Sequence, residues 1–223
     1  GSENVGVGML ALQATGAGAN NVAIGYGALT ADTTGASNVA VGYLALDANT
    51  TGSTVTAVGA GALGANTTAT NGTAVGGNAL TANTTGASNT AVGKTALAAN
   101  TTGAQNTAVG LEAGAAVTTG TYNDFFGFRA GDKTTTATGN VGIGSNSLGA
   151  NTTGASNTAV GANAMLAGTT GTQNTAVGLG TLYTNVSGSQ NVAIGYTALY
   201  SNTTASYNTA VGNTSLDANT EGS

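Results

Sequence analysis

The sequence lacks several residue types on which protein chemistry depends. It contains no cysteine, histidine, proline or tryptophan, and only 3 of its 223 residues are Lys or Arg. The chain therefore has no thiolate or imidazole for nucleophilic catalysis, for general-base work near neutral pH or for a Cys/His zinc site. Three cations in a chain of formal net charge −5 cannot neutralise a row of phosphates, which argues against nucleic acid as a partner. These absences predict that the protein is not an enzyme.

Charged residues and long apolar runs are also scarce. Only 5% of the residues are charged, and no apolar run reaches the ~18 residues of a membrane-spanning helix. Aspartate is too sparse for a calcium-binding loop, so we expect no metal and no cofactor. A chain of low hydrophobicity is expected to be disordered chiefly when its net charge is also high. Here few residues are charged, and the mean hydropathy is +0.11. The composition is therefore compatible with a folded chain.

The sequence consists of one repeat. The motif N-T-A-V-G and its variants return thirteen times, and the closing glycine falls every 17 residues from Gly8 to Gly212 without an insertion. Self-similarity at a short fixed period is typical of solenoids. We therefore expect residues 4–223 to form a single domain. Residues 1–3 are expected to be a leader, because Gly1-Ser2 resembles a cloning remnant.

Aligning the copies shows which positions are constrained. Numbered from the Asn that opens each copy, the repeat runs N-[TV]-A-[VI]-G-x-x-A-L-x-A-N-T-T-G-x-x, with Gly at position five in all thirteen copies. Positions six, seven, ten and seventeen vary freely, which indicates exposure. Short β-branched segments separated by Gly or Asn favour short strands joined by turns. We predict an all-β fold, a parallel β-solenoid (β-roll) of thirteen 17-residue coils.

The turn-forming residues suggest how each coil closes. Glycine at positions five and fifteen would supply a positive φ or a tight corner. Asn and Thr at positions twelve to fourteen can hydrogen-bond to turn backbone and stack as ladders from coil to coil.

One irregular copy, Asn123–Gly139, indicates which positions face inward. At position three Phe125 replaces Ala, and at position nine Gly131 replaces Leu. A paired exchange of large for small is expected where two positions share one packed volume. Positions three and nine would then lie inside the coil, and strand alternation would send positions two and four outward. The opposite assignment, with Val inward and Ala outward, stays open at this point.

The outward positions two and four would form a ladder of Thr or Val beside Val or Ile, called here the outward ladder. An apolar strip of this length exceeds the exposed patches of soluble monomers, so we expect it to be covered or to bind something. The predicted site residues are Val22, Ile24, Val39, Val41, Thr56, Val58, Thr73, Val75, Thr90, Val92, Thr107, Val109, Phe126, Val141, Ile143, Thr158, Val160, Thr175, Val177, Val192, Ile194, Thr209 and Val211.

The repeat resembles those of a known group of proteins. The segment Asn89–Gly110, N-T-A-V-G-K-T-A-L-A-A-N-T-T-G-A-Q-N-T-A-V-G, resembles repeats of phage and bacterial tail-fibre-domain proteins, which often precede an endosialidase-type chaperone. N-D-F-F-G-F-R-A-G at Asn123–Gly131 resembles a second repeat type of that family. N-V-A-I-G at Asn21–Gly25 and Asn191–Gly195 is similar to the rungs of trimeric autotransporter adhesin heads, which are left-handed parallel β-rolls with a shorter coil.

The resemblance implies a left-handed coil, a homotrimer and an extracellular location, at a cell surface or on a virion. It favours a structural and adhesive segment of a trimeric fibre, in which three chains bury their outward ladders against one another. The variable positions would then face outward, where a host-surface glycan or protein could bind.

An ice-binding, antifreeze-type solenoid is the alternative. A flat, regular array of Thr and Val on a chain of low charge resembles the faces of ice-binding β-solenoids. The Thr pairs at positions thirteen and fourteen, such as Thr50-Thr51 and Thr67-Thr68, offer a second row. Rows of Thr also form where the side chains merely satisfy one another through hydrogen bonds across strands.

A glycan-cleaving enzyme is the third hypothesis and fits least well. Six of the eleven charged residues lie between Lys94 and Lys133, and paired carboxylates ~5–9 Å apart can hydrolyse glycosides. Glu112 and Arg129, however, occupy the same position of adjacent copies. We therefore expect them to form an exposed ion pair that contributes under ~1 kcal/mol.

Overall fold

The computed structural model describes residues 1–14, 16 and 18–220, so the last three residues of the expected domain, 221–223, lie outside the described part. The described residues form thirteen three-residue strands, one in each copy of the repeat, and no helix. The strands are β1 (Val5–Val7), β2 (Val22–Ile24), β3 (Val39–Val41), β4 (Thr56–Val58), β5 (Thr73–Val75), β6 (Thr90–Val92), β7 (Thr107–Val109), β8 (Asp124–Phe126), β9 (Val141–Ile143), β10 (Thr158–Val160), β11 (Thr175–Val177), β12 (Val192–Ile194) and β13 (Thr209–Val211).

The chain divides into two compact units, residues 1–111 with β1 to β7 and residues 112–223 with β8 to β13. Within each unit the strands pair in parallel with their sequence neighbours. The register joins equal positions of successive copies, for example Thr90 with Thr107 in the first unit and Thr158 with Thr175 in the second. Because every strand is separated from the next by the rest of one copy, each copy is one coil. The predicted parallel β-solenoid is therefore confirmed, whereas its handedness stays a prediction.

The invariant glycine of position five has two physical reasons. Its φ lies between 126° and 141° in all copies, a region that side-chain-bearing residues avoid. It also packs directly against the next coil, because a Cβ on Gly59 would lie 2.6 Å from the carbonyl carbon and oxygen of Gly76. The position-fifteen glycines differ, since Gly35 and Gly52 have φ outside the positive range and contribute only a close approach to the following coil.

Three further positions of the coil have a left-handed backbone, although most carry side chains. Positions seven, nine and seventeen all have positive φ, for example Thr95 (56°), Leu97 (49°) and Gln105 (58°). This conformation costs a non-glycine residue about 1–2 kcal/mol. At position nine, complete burial of leucine offsets that cost, because burying a leucine side chain stabilises by about 1.5–3 kcal/mol.

The left-handed residues serve hydrogen bonding between coils. The N–H of Leu44, at position seven, donates to Tyr26 in the preceding coil, at 2.9 Å. The N–H of Leu46, at position nine, donates to Ala62 in the following coil, at 3.0 Å. Alternating backbone conformation thus turns successive peptides toward opposite neighbours, which satisfies the polar backbone of the corner.

The apolar core is built from small and medium side chains. Ala at positions three and eight and Leu at position nine have no exposed surface in most coils, as in Ala91, Ala96 and Leu97. Position ten, expected to be exposed, is half-buried in residues such as Asp47 and Thr81. Each coil therefore closes over a thin core that two or three side chains fill.

Asparagine forms two buried ladders beside that apolar core. At position one, the N–H of Asn38 donates to Oδ1 of Asn21 in the preceding coil at 2.9 Å, and its Nδ2 donates to Gly52 in the following coil at 2.8 Å. At position twelve, Nδ2 of Asn66 donates to Oδ1 of Asn49 at 2.8 Å. The expected stacking at position twelve is confirmed, and position one adds a second ladder.

Asp32 replaces asparagine in the position-twelve ladder of the first unit. Its carboxylate is fully buried, and Oδ1 accepts hydrogen bonds from Nδ2 of Asn49 at 3.0 Å and from the N–H of Gly35 at 3.1 Å. Burial raises the pKa of Asp32 above its usual value, and the two hydrogen bonds only partly counter that rise. Ionised Asp32 is therefore less favourable in this buried place than its protonated form.

Candidate functional site

The candidate site is the outward ladder, and strand alternation positions it. In β6 the central residue, Ala91, has no exposed surface, whereas Thr90 is half-buried and Val92 is 37% exposed. The central residue is likewise buried in every strand from β2 to β13, because successive side chains of a strand point to opposite faces, whereas all three residues of β1 are exposed. Position three therefore faces the core, and positions two and four face away from it.

The exposed members of the outward ladder are the position-four residues Ile24, Val75, Val92, Phe126, Ile143, Ile194 and Val211, together with Thr209. The remaining predicted residues, Val22, Val39, Val41, Thr56, Val58, Thr73, Thr90, Thr107, Val109, Val141, Thr158, Val160, Thr175, Val177 and Val192, are half-buried. Within each unit the parallel register brings residues of the same position side by side, as in Val92 beside Val109.

The outward ladder is almost free of charge. Positions two and four of β1 to β7 carry only Val, Ile and Thr. In the second unit the single charged residue at these positions is Asp124, half-buried at the start of β8. A face of this composition can exclude water when another apolar surface covers it.

The irregular coil places one phenylalanine inside and one outside. Phe125, at position three, is fully buried, and a Cβ on Gly131 would overlap its ring. Positions three and nine thus share one packed volume, as the paired exchange predicts. Phe126, at position four, is 39% exposed and belongs to the outward ladder.

The threonine rows at positions thirteen and fourteen differ in whether their hydroxyl groups are available to solvent. The hydroxyl of Thr50 donates to the backbone oxygen of Thr67 at 3.0 Å, and Thr67 bonds to Thr84 in the same way at 3.1 Å. Position thirteen therefore uses its hydroxyls within the solenoid. Thr51 and Thr68, at position fourteen, are exposed and form the row that solvent can reach.

Four of the charged residues between Lys94 and Lys133 form two ion pairs within the second unit. Nε of Arg129 lies 2.6 Å from Oε2 of Glu112, with Arg129 exposed and Glu112 half-buried, which is the surface ion pair expected from their shared position. Nζ of Lys133 lies 3.4 Å from Oδ2 of Asp132. Among the residues that the structure describes, no group of three or more acidic side chains could hold a metal ion.

Comparison with known proteins adds no relative. The chain matches no protein-family model, no curated protein and no solved structure. Within residues 1–14, 16 and 18–220 no helix is long and apolar enough to cross a membrane. The geometry therefore defines the class, a parallel β-solenoid with an outward ladder of Val, Ile and Thr that is almost free of charge.

Proposed function

We propose that the protein is a non-catalytic structural and adhesive segment of a homotrimeric extracellular fibre. The observation that carries the proposal is the outward ladder, which presents an exposed or half-buried apolar side chain in every coil with almost no charge beside it. Apolar surface that repeats in this way is a mark of an interaction face.

A second and third copy of the same chain suit this face better than an unrelated partner. Every strand repeats at the spacing of a parallel sheet, about 4.8 Å, so the ladder of one copy meets rungs at the same spacing in another. When copies of one chain pack the same face around a common axis, they form a closed, symmetric oligomer rather than an open-ended one. The small side chains at positions two and four allow a close approach of the backbones.

The area involved is sufficient for a stable assembly. Each rung would bury about 50–80 Å² per chain, which at about 25 cal/mol per Å² contributes about 1.5 kcal/mol. Twelve such rungs give about 600–1,000 Å² per chain, within the range of standard protein interfaces at about 800 Å² per partner.

The mass in solution tests the proposal, measured by light scattering after size exclusion. The chain has a mass of 20.9 kDa, so three copies give about 63 kDa. The variant Val75→Lys/Val92→Lys places two charges on the outward ladder and should yield a folded monomer. Its matched control is Thr85→Lys/Thr102→Lys, which adds the same charges to position fourteen of the same two coils and should stay trimeric. A wild-type mass near 21 kDa would contradict the proposal.

Ice binding is the second candidate, favoured by one specific observation. Strands β4 to β7 all read Thr-Ala-Val, so four consecutive coils present the same half-buried Thr beside the same Val. A monomer that shapes growing ice crystals, and loses that activity in Val75→Lys/Val92→Lys, would establish this function instead. A trimer without effect on ice growth excludes it.

A further inference from the structure

A cavity at the surface of the second unit, open to solvent, brings aromatic rings and polar side chains together. It measures about 360 Å³ and is lined by Tyr196, Thr197, Tyr200, Ser201 and Asp217. The first four belong to the coil of β12 and Asp217 to the coil of β13, so the stacking of two coils creates the cavity. Its size falls in the range of small-ligand pockets, about 300–1,000 Å³.

The backbone frame holds the cavity residues in place. The N–H of Ser201 donates to the oxygen of Asp217 at 2.9 Å, which joins the two coils. The ring of Tyr200 stacks on that of Tyr183 in the preceding coil, with centroids 4.9 Å apart and an interplanar angle of 17°. Oγ1 of Thr184 donates to the oxygen of Tyr200 at 2.7 Å. The preceding coil thus holds Tyr200 in place from one side. The polar side chains named above line the cavity beside it.

The polar side chains of the cavity are available to a ligand. Within the described part of the chain, the two phenol groups, the hydroxyls of Thr197 and Ser201 and the carboxylate of Asp217 make no hydrogen bond or ion pair. Hydroxyl groups donate and accept, whereas the carboxylate only accepts. Tyr196 is also 56% exposed, which leaves much of its ring open to stacking.

We propose that this cavity binds a neutral hexopyranose, which would make it a glycan site of the fibre. A sugar ring has an apolar C–H face that an aromatic ring can cover, and hydroxyl groups that a carboxylate and two hydroxyls can bind. The charge of Asp217 disfavours acidic sugars, because like charges repel across a contact. This inference rests on the adhesive part of the proposed function and names the chemistry of its ligand.

Titration of sugars into protein labelled with ¹³C at the tyrosine ring carbons tests the inference. The seven tyrosines include Tyr26 and Tyr43 of the first unit, a stacked pair with centroids 5.5 Å apart that serves as an internal control. The probes are the methyl glycosides of glucose, galactose and mannose, N-acetylglucosamine, and the acidic sugar N-acetylneuraminic acid. We expect saturable shifts of Tyr196 and Tyr200 with at least one neutral sugar, at a dissociation constant of about 1–10 mM.

Variants separate binding from structure. Tyr196→Ala should weaken binding at least about tenfold, whereas Tyr43→Ala in the other stacked pair should leave it unchanged. Absence of saturable shifts at Tyr196 and Tyr200, or equal shifts at Tyr26 and Tyr43, overturns the inference. The mass of the same sample keeps the two proposals apart. A trimer of about 63 kDa without these shifts refutes only the sugar site, and a monomer of about 21 kDa with them refutes only the trimer.

Discussion

The regular coils of the first unit and the irregular start of the second unit fill their cores in different ways. In the first unit, position twelve from Asp32 to Asn100 is an unbroken ladder in which each amide donates to the preceding coil. In the second unit, Val117 and Thr134 occupy that position, and Oγ1 of Thr134 is buried without a hydrogen-bond partner. The apolar core adapts in the same region, since Phe125 fills the space left by Gly131.

The two kinds of core interaction therefore tolerate change differently. Apolar packing depends on the total volume of the side chains. A large side chain at one position can therefore fill the space left by a small side chain at the facing position of the coil. A hydrogen-bond ladder depends on direction and on a partner at a fixed place, so a residue of the wrong type leaves a polar atom unsatisfied. Four substitutions test this difference, beginning with the largest effect.

Phe125→Ala should destabilise the second unit most, by about 3–5 kcal/mol, because Gly131 offers no side chain to fill the cavity. Urea unfolding followed by circular dichroism, at fixed protein concentration, measures the loss. The double variant Phe125→Ala/Gly131→Leu restores the pair found in regular coils and should recover at least half of it. If adding Gly131→Leu to Phe125→Ala destabilises the protein further, the two positions do not share one volume.

Asn83→Ala should cost the first unit about 2–3 kcal/mol, because it removes one rung of the buried ladder. The change leaves Oδ1 of Asn66 without its donor and Nδ2 of Asn100 without its acceptor in the preceding coil. Thr85→Ala, an exposed substitution in the same coil, should stay within about 0.5 kcal/mol of wild type. Equal effects of the two substitutions in urea unfolding would argue against a stabilising ladder.

Thr134→Asn should stabilise the second unit by about 1 kcal/mol, since it supplies an acceptor for Nδ2 of Asn151. That amide donates to Gly154 in its own coil at 3.0 Å, as in the regular coils. The midpoint of thermal unfolding should rise. Thr134→Val, which removes the unpaired hydroxyl without adding a ladder bond, is the matched control and should give a smaller gain than Thr134→Asn.

Asp32→Asn should have the smallest effect, and one that depends on pH. The raised pKa means that ionisation of Asp32 weakens the folded state. Stability from this residue is complete below the ordinary value of 3.8 and is lost as pH rises through the higher folded pKa. The substitution should therefore raise the unfolding midpoint at about pH 7 and make little difference at about pH 3. A gain that is the same at both pH values would contradict this account.

The fold could be predicted from the sequence because it follows from the 17-residue period of the repeat. Thirteen copies without insertion predict one strand per coil, and the exchange of Phe125 with Gly131 identifies two facing positions. The outward ladder follows from alternation, and its role as an interface stays a prediction. The asparagines were expected to stack at turns, but nothing in one copy of the repeat indicates that position one is also a ladder.

The sequence by itself determined the 17-residue coil, the parallel class of sheet and the position of the invariant glycine, because each depends on local chemistry repeated at a fixed interval. Only the tertiary structure decided the left-handed backbone at leucines such as Leu46, since that conformation is unfavourable in isolation and is stabilised by the hydrogen bond of its N–H to the following coil. It also decided the burial of Asp32 and the presence of Tyr196 and Asp217 at one cavity, because both depend on how the side chains of adjacent coils pack.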